Sequence, residues 1–123
     1  MSSRPQFNPY PVISSASMTG NVTSKVTVIQ KLSQIGYDIS WTGTPVGTFS
    51  VQISNTYSQN AAGAVTNAGT WTTLTLSNSP AASGSAGSGY IDITGCSAYA
   101  MRLVYTAGSS TGTLNATINA KVA

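Results

Sequence analysis

The stretch Ala98–Val122 reads AYAMRLVYTAGSSTGTLNATINAKV and carries the clearest pattern in the chain. Its first half places large apolar side chains at every second position, namely Tyr99, Met101, Leu103 and Tyr105. A tract of small and polar residues interrupts the pattern at Ala107–Gly112. The alternation then resumes with Leu114, Ala116, Ile118, Ala120 and Val122. Period-two alternation on both sides of a turn predicts an antiparallel β-hairpin with one buried face.

The same alternation appears earlier in the chain. Ile35–Trp41 and Thr48–Ser54 alternate apolar and polar residues on either side of a turn with three punctuating residues, Gly43, Pro45 and Gly47. These two segments predict a second hairpin. The remaining strand candidates are Asn21–Ile29, Thr70–Ser77 and Tyr90–Thr94, with Val22, Val26 and Val28 inward in the first and Ile91 and Ile93 inward in the last. The polar stretches between them, Asn55–Gly69 and Ser77–Gly89, are predicted loops.

The composition supports an all-β chain. Its polarity comes mainly from Ser, Thr, Asn and Gly rather than from charged residues. Thr and Val suit strands, whereas Gly and Asn suit turns. A length of 123 residues is enough for one domain that buries about two-thirds of its unfolded surface. We therefore predict an antiparallel, jelly-roll-like β-sandwich of about seven to eight strands over residues 21–123. Residues 1–20 precede it as an extended N-terminal arm.

The arm combines prolines with apolar side chains. Pro5, Pro9 and Pro11 favour an extended, unpaired backbone. The apolar residues among them are Phe7, Tyr10, Val12 and Ile13. Two interpretations stay open. Either Pro11–Ser15 is an edge strand and the arm folds onto its own domain, or these four apolar residues dock on a neighbouring subunit.

The residue types present give little support for catalysis. Only 6% of the chain is charged, with five Lys and Arg, two acidic residues and no His. General acid–base catalysis and zinc binding both draw on histidine, and Cys96 has no basic neighbour in sequence to activate it. The two acids, Asp38 and Asp92, are expected to be solvated or paired with Arg102 or Lys25. We predict that the protein is not an enzyme and needs no cofactor or metal.

The distribution of charge and hydropathy also limits the partners. The basic residues are scattered, which argues against nucleic acid as a partner, and no stretch approaches the ~20 apolar residues of a membrane span. The N-terminus lacks a hydrophobic signal core, so synthesis and folding in a cytoplasm are expected. Thr48–Ser54 and Thr70–Ser77 contain no charge, although charges commonly protect sheet edges. We infer that other subunits, including copies of the same chain, cover these strands in a homo-oligomer.

Three segments together resemble a known class of proteins. They are ISWTGTPVGTFSVQIS at Ile39–Ser54, TWTTLTL at Thr70–Leu76 and YAMRLVYTAGSSTGTL at Tyr99–Leu114. Their order resembles that of small β-sandwich virion structural proteins of bacteriophages. The resemblance implies a capsid-decorating, minor capsid or tail component that is located in the virion, and it carries over no catalytic residues.

A binding module is the alternative function. Exposed aromatic rings stack on sugars, and Tyr57 lies in the long polar loop Asn55–Gly69, where we expect it on the surface. Trp41 and Trp71 lie in strand patterns, where core packing is expected. In this interpretation Tyr57 and the two polar loops bind a carbohydrate or receptor during host attachment.

Overall fold

The computed structural model describes residues 6–29, 34–74, 76, 80–94, 98–109 and 111–121. This part of the chain contains strands and no helix. A first sheet has the spatial order β1 (Gln6–Ser17), β12 (Gly112–Lys121), β4 (Gln34–Gly43) and β10 (Gly87–Thr94). A second sheet is centred on β11 (Ala100–Ser109) and β5 (Val46–Ser54).

Short segments form both edges of the second sheet. Next to β11 lie β2 (Val22–Thr23) and β3 (Thr27–Val28), and next to β5 lie β8 (Thr72–Leu74) and β9 (Ala81–Ser83). A separate two-stranded ribbon consists of β6 (Ser58–Gln59) and β7 (Val65–Asn67). All pairings are antiparallel, and the two main sheets pack face to face as the predicted β-sandwich.

Strands near the N-terminus pair with strands near the C-terminus, and the pairing continues in this order toward the middle of the chain. β1 pairs with β12, β2 and β3 pair with β11, β4 pairs with β10, and β5 pairs with β8 and β9. If β2 with β3 and β8 with β9 each count as one interrupted strand, each main sheet has four strands. First-to-last pairing in two four-stranded sheets is the jelly-roll arrangement.

Both predicted hairpins are wrong. β4 and β5 are consecutive in sequence but lie in different sheets, and so do β11 and β12. Each pair forms a β-arch, in which two consecutive strands belong to opposite sheets. The two arches pair with each other, because β4 pairs with β12 and β5 pairs with β11. Alternation marks the buried face of a strand, and that face is the same in a hairpin and in an arch.

The two arches meet at a tight corner. The Thr44 N–H donates a hydrogen bond of 2.9 Å to the carbonyl oxygen of Thr111. Gly43 has φ of 89°, and a Cβ there would lie 2.7 Å from the Thr111 oxygen and 2.8 Å from Gly112 Cα. The close approach of the two backbones therefore requires glycine at position 43.

The core lies between the sheets and contains the predicted inward rows. Its fully buried members include Ile35, Tyr37, Ile39, Leu114 and Ile118 from the first sheet and Val51, Met101, Leu103 and Tyr105 from the second. Phe49 links the sheets near the corner, with its ring centroid 5.4 Å from Trp41 and 5.0 Å from Tyr105.

The predicted arm is a strand of the first sheet. Its described part, Gln6–Ser17, pairs with β12 from Gln6↔Lys121 to Ser17↔Thr113. Val12 and Ile13 are 3% and 5% exposed and belong to the core. This is the edge-strand interpretation, and it leaves these two side chains no surface to offer a neighbouring subunit in this fold.

The segment predicted as one strand at Asn21–Ile29 is interrupted. Ser24 lies between β2 and β3, and its hydroxyl accepts a hydrogen bond of 2.8 Å from the Leu103 N–H. Thr27 is buried, whereas Val26 and Val28 are only half-buried, so the predicted inward row is wrong at this edge. The Ser24 side chain replaces a regular ladder contact and breaks the alternation.

Candidate interaction surfaces

The outer face of the second sheet carries a stacked aromatic cluster. The Arg102 guanidinium carbon lies 4.2 Å from the ring centroid of Trp71, and Arg102 Nε donates a 2.8 Å hydrogen bond to Gln52 Oε1. Desolvation lowers the pKa of Arg102. The proposed pairing of Arg102 with Asp38 or Asp92 is wrong, because both acids lie on the outer face of the opposite sheet.

Tyr57 is buried beneath this cluster rather than exposed. Its side chain is 6% exposed, and its ring centroid lies 5.9 Å from that of Trp71. Its hydroxyl accepts a 2.7 Å hydrogen bond from Gln59 Nε2. The prediction of a surface ligand residue is therefore wrong at Tyr57.

The loop buries Tyr57 by folding back on the sheet. The Thr70 N–H donates to Thr56 Oγ1 at 2.6 Å, and the Tyr57 N–H donates to Ser54 Oγ at 3.1 Å. Gly69 lies so close that a Cβ there would be 2.7 Å from Ser54 Oγ. A polar composition predicted exposure of the whole loop, but these side chain–backbone bonds close it over one aromatic ring. Trp71 is half-buried, whereas Trp41 is buried as expected.

The outer face of the first sheet presents Tyr90 to solvent. This side chain is 50% exposed, and its ring rests on Gly36 of the neighbouring strand. A Cβ at Gly36 would lie 2.8 Å from Tyr90 Cζ and 3.0 Å from Cε1. The ring thus leans across β4 and occupies the space that a side chain at position 36 would need.

Both acidic residues of the chain flank this ring. Asp38 is directly opposite Tyr90 in the β4–β10 register, and Asp92 lies two residues further along β10. Both are exposed. The pKa of Tyr90 is raised, first by partial desolvation and then by the negative charges of Asp92 and Asp38. The face therefore combines an open aromatic ring with two carboxylates.

β10 also forms an open edge of the first sheet. It pairs with β4 without a register shift from Gly87↔Trp41 to Thr94↔Gln34. Within the described residues no strand pairs with its other side.

The other edges carry features that interfere with pairing. β1 has three register shifts and contains Pro9 and Pro11, while the edge segments of the second sheet are two or three residues long. Bulges, prolines and short strands are the usual protection of edges. β10 is therefore the long, regular edge among those described.

The remaining predicted site residues are only partly placed. The backbones of Phe7 and Tyr10 pair with those of Ala120 and Ile118, and their side chains lie outside the described residues, as does Cys96. In the described ranges no three side chains of His, Cys, Asp or Glu come together to hold a metal. No helix suited to crossing a membrane occurs in the described parts of the chain.

Tyr90 is exposed but is not among the predicted site residues. The prediction that Ile91 and Ile93 point inward already implied that Tyr90 points outward, because neighbouring strand residues face opposite sides. Its position over Gly36 depended on the β4–β10 register, which joins two strands that are far apart in sequence. Local alternation contains no information on that register.

Comparison with known proteins yields distant structural similarities. No family model and no curated protein sequence matches the chain. The SPBc2 prophage-derived protein YomS is similar with a TM-score of 0.48 and 9% identity, over 97% of this chain and 96% of that one. The K1 cleaved adhesin domain of Lys-gingipain from Porphyromonas gingivalis W83 has a TM-score of 0.39 and 12% identity, over 84% of this chain and 63% of that one.

Proposed function

We propose that this chain is a non-enzymatic structural subunit of a bacteriophage virion, as a capsid decoration, minor capsid or tail component. The observation that carries the proposal is the open edge of β10, which is regular over eight residues and contains one charged side chain, Asp92. An edge of this kind invites pairing with another chain unless an assembly covers it. In a virion, neighbouring subunits provide that cover.

The fold is compatible with this role. Jelly rolls occur in viral capsid proteins and also in lectins, so the fold alone leaves both functions open. Of the two predicted assembly contacts, the N-terminal arm and the strand edges, the proposal keeps the strand edge, because Val12 and Ile13 lie in the core of their own chain.

Immunolabelling of virions tests the proposal. An antibody raised against the recombinant chain should label purified phage particles encoded by the same genome, and pre-immune serum should not. Detection of the chain only in the particle-free lysate of infected cells would overturn the virion role.

A carbohydrate- or receptor-binding module is the second candidate. The observation that favours it is the half-exposed ring of Tyr90 between Asp38 and Asp92, since sugars stack their C–H faces on aromatic rings and donate hydroxyl hydrogen bonds to carboxylates. The site differs from the buried Tyr57.

A glycan array should show binding that Tyr90→Ala abolishes and that Val46→Ala, at another exposed apolar residue, leaves intact. Absence of binding to every glycan, or equal binding by both variants, would count against it.

A further inference from the structure

We infer that β10 pairs antiparallel with β10 of a second copy of this chain across a two-fold axis, with Tyr90 at the centre of the pair. The inference rests on the proposed structural function and names the contact through which copies associate. It would join two four-stranded sheets into one continuous sheet. A two-fold axis requires the same segment from both copies, and a single open edge satisfies this condition.

The sequence of β10 is complementary to itself in this register. It reads GSGYIDIT, with small residues in its first half and two isoleucines in its second half. Pairing about Tyr90 sets Gly89 opposite Ile91 of the second copy and Gly87 opposite Ile93. No two isoleucines then lie opposite each other on the inner face, where Pro80 and Trp41 of the same chain pack over Gly89 and Gly87.

The outer face is complementary in hydrogen-bond donors and acceptors. In the same register the Ser88 hydroxyl can donate a hydrogen bond to the carboxylate of Asp92 in the second copy, and symmetry repeats this pair. Ser88 and Asp92 are both exposed in the single chain and free of steric cover. A register centred on Asp92 instead would place two carboxylates directly opposite each other, an unfavourable arrangement.

Tyr90 leaves the edge accessible. Its ring leans over Gly36 on β4, on the side of β10 that is already paired, so the free side of the strand stays open. The absence of a register shift in β10 also keeps the strand straight enough to receive a partner along its length.

Two substitutions at one exposed position test this pairing. Ser88→Asp places a carboxylate opposite Asp92 of the second copy, and Ser88→Lys places an ammonium group there. Sedimentation velocity over a range of concentrations should show a dimer whose dissociation constant rises on the order of tenfold in Ser88→Asp and falls in Ser88→Lys. Thr23→Asp, at an exposed position on the far edge of the second sheet, is the charge-matched control and should leave the dissociation constant unchanged.

The outcomes separate this pairing from the virion role. Thermal unfolding is compared at a concentration at which all chains are monomeric, since association itself raises the unfolding temperature. Equal unfolding temperatures of the unmodified chain and both Ser88 variants there establish that any change lies in association. A chain that stays monomeric at all concentrations, or a dimer that responds equally to both Ser88 variants, overturns the β10 pairing. If such a chain still labels virions, the edge binds a strand of another virion protein. The expected opposite responses without virion labelling would leave the pairing standing and overturn the virion role.

Discussion

Ser15 has a left-handed backbone with φ of 50°, and among the described residues it is the non-glycine position that does so. It lies in β1 between the paired residues Ile13 and Ala16, where the register shifts. Its N–H donates a 2.9 Å hydrogen bond to Asn115 Oδ1. The bulge at this edge is thus held by a backbone N–H donor that every residue except proline can supply.

Replacement of Ser15 by glycine should stabilise the fold. A left-handed conformation costs an L-residue about 1–2 kcal/mol, and glycine avoids this cost. Glycine also raises the conformational entropy of the unfolded chain, which offsets part of the gain in stability. We expect Ser15→Gly to raise the free energy of unfolding by about 0.5–1 kcal/mol in urea denaturation. Ser14→Gly, one residue earlier, should lower it. Destabilisation by Ser15→Gly would show that the serine side chain holds the bulge.

The ring of Tyr105 packs in the core and stabilises the fold, whereas its hydroxyl group lowers the stability. The side chain is fully buried, and its hydroxyl has no hydrogen-bond partner in the described structure. A buried donor without a partner costs about 1–3 kcal/mol. Tyr105→Phe should therefore raise the free energy of unfolding by about 1 kcal/mol while keeping the contact with Phe49. Tyr57→Phe is the contrasting variant and should destabilise, because it removes the acceptor of Gln59 Nε2.

Burial of Tyr105 also makes the free energy of unfolding decrease at alkaline pH. Burial raises the pKa of Tyr105 in the folded state, so the folded chain retains a proton that the unfolded chain loses near pH 10. Stability should be independent of this group below pH 10 and should fall as the pH rises toward its folded pKa. Urea titrations at pH 8 and pH 11 should show a smaller loss in Tyr105→Phe. An identical loss in both proteins would assign the decrease at alkaline pH to other groups.

Strands could be located from the sequence, but their partners could not. The predicted segments Ile35–Trp41 and Thr48–Ser54 fall within β4 and β5, and the inward rows of β11 and β12 are buried as expected. Their pairing is set by contacts between β4 and β12 and between β5 and β11, far apart in sequence. A turn rich in Gly and Pro suits a hairpin and an arch equally well. Local patterns therefore define the strands and leave the topology to long-range packing.

The corner between the two arches can be probed at glycine. Gly43 and Gly63 have φ of 89° and 86°, so alanine at either position pays a similar conformational cost of about 1–2 kcal/mol. At Gly63 a Cβ would meet open space, whereas at Gly43 it would meet the backbone of Thr111 and Gly112. Overpacking at Gly43 should add ~1–3 kcal/mol to the loss of unfolding free energy. We therefore expect Gly43→Ala to lower the melting temperature well beyond Gly63→Ala. Equal losses would mean that the arches do not touch there.

At the scale of the whole molecule, the place of β1 in the first sheet determines whether the N-terminal segment can be removed without unfolding the chain. Deletion of residues 2–13 removes the core residues Val12 and Ile13, each of which contributes about 1.5–3 kcal/mol of burial. This sum approaches the ~5–15 kcal/mol stability of a typical domain, so the shortened chain should be unfolded or aggregated by circular dichroism. Deletion of residues 2–5 is the control and should leave a folded chain. A folded product lacking residues 2–13 would show that the segment is a separable arm.

The molecular surface could be predicted less well than the core. The sequence favoured exposure of Tyr57 because its neighbours are polar, yet the loop closes over that ring. Tyr90 lies among small residues in a strand and is exposed, because the sheet places it over Gly36 at an edge. Exposure at a surface depends on which strand ends a sheet. That order follows from the fold of the whole chain.

The order in which the strands pair has a consequence for the synthesis of the chain. β11 and β12 occupy internal positions in the two sheets, and residues 100–121 that form them are translated after all the other strands. Until the ribosome has released them, β1 lacks its partner, β4 has only β10, and β5 has only the short β8 and β9. Loop closure over such separations is slow, so the sandwich should fold only after β12 has been translated. Until then the nascent chain presents its apolar strand faces to chaperones.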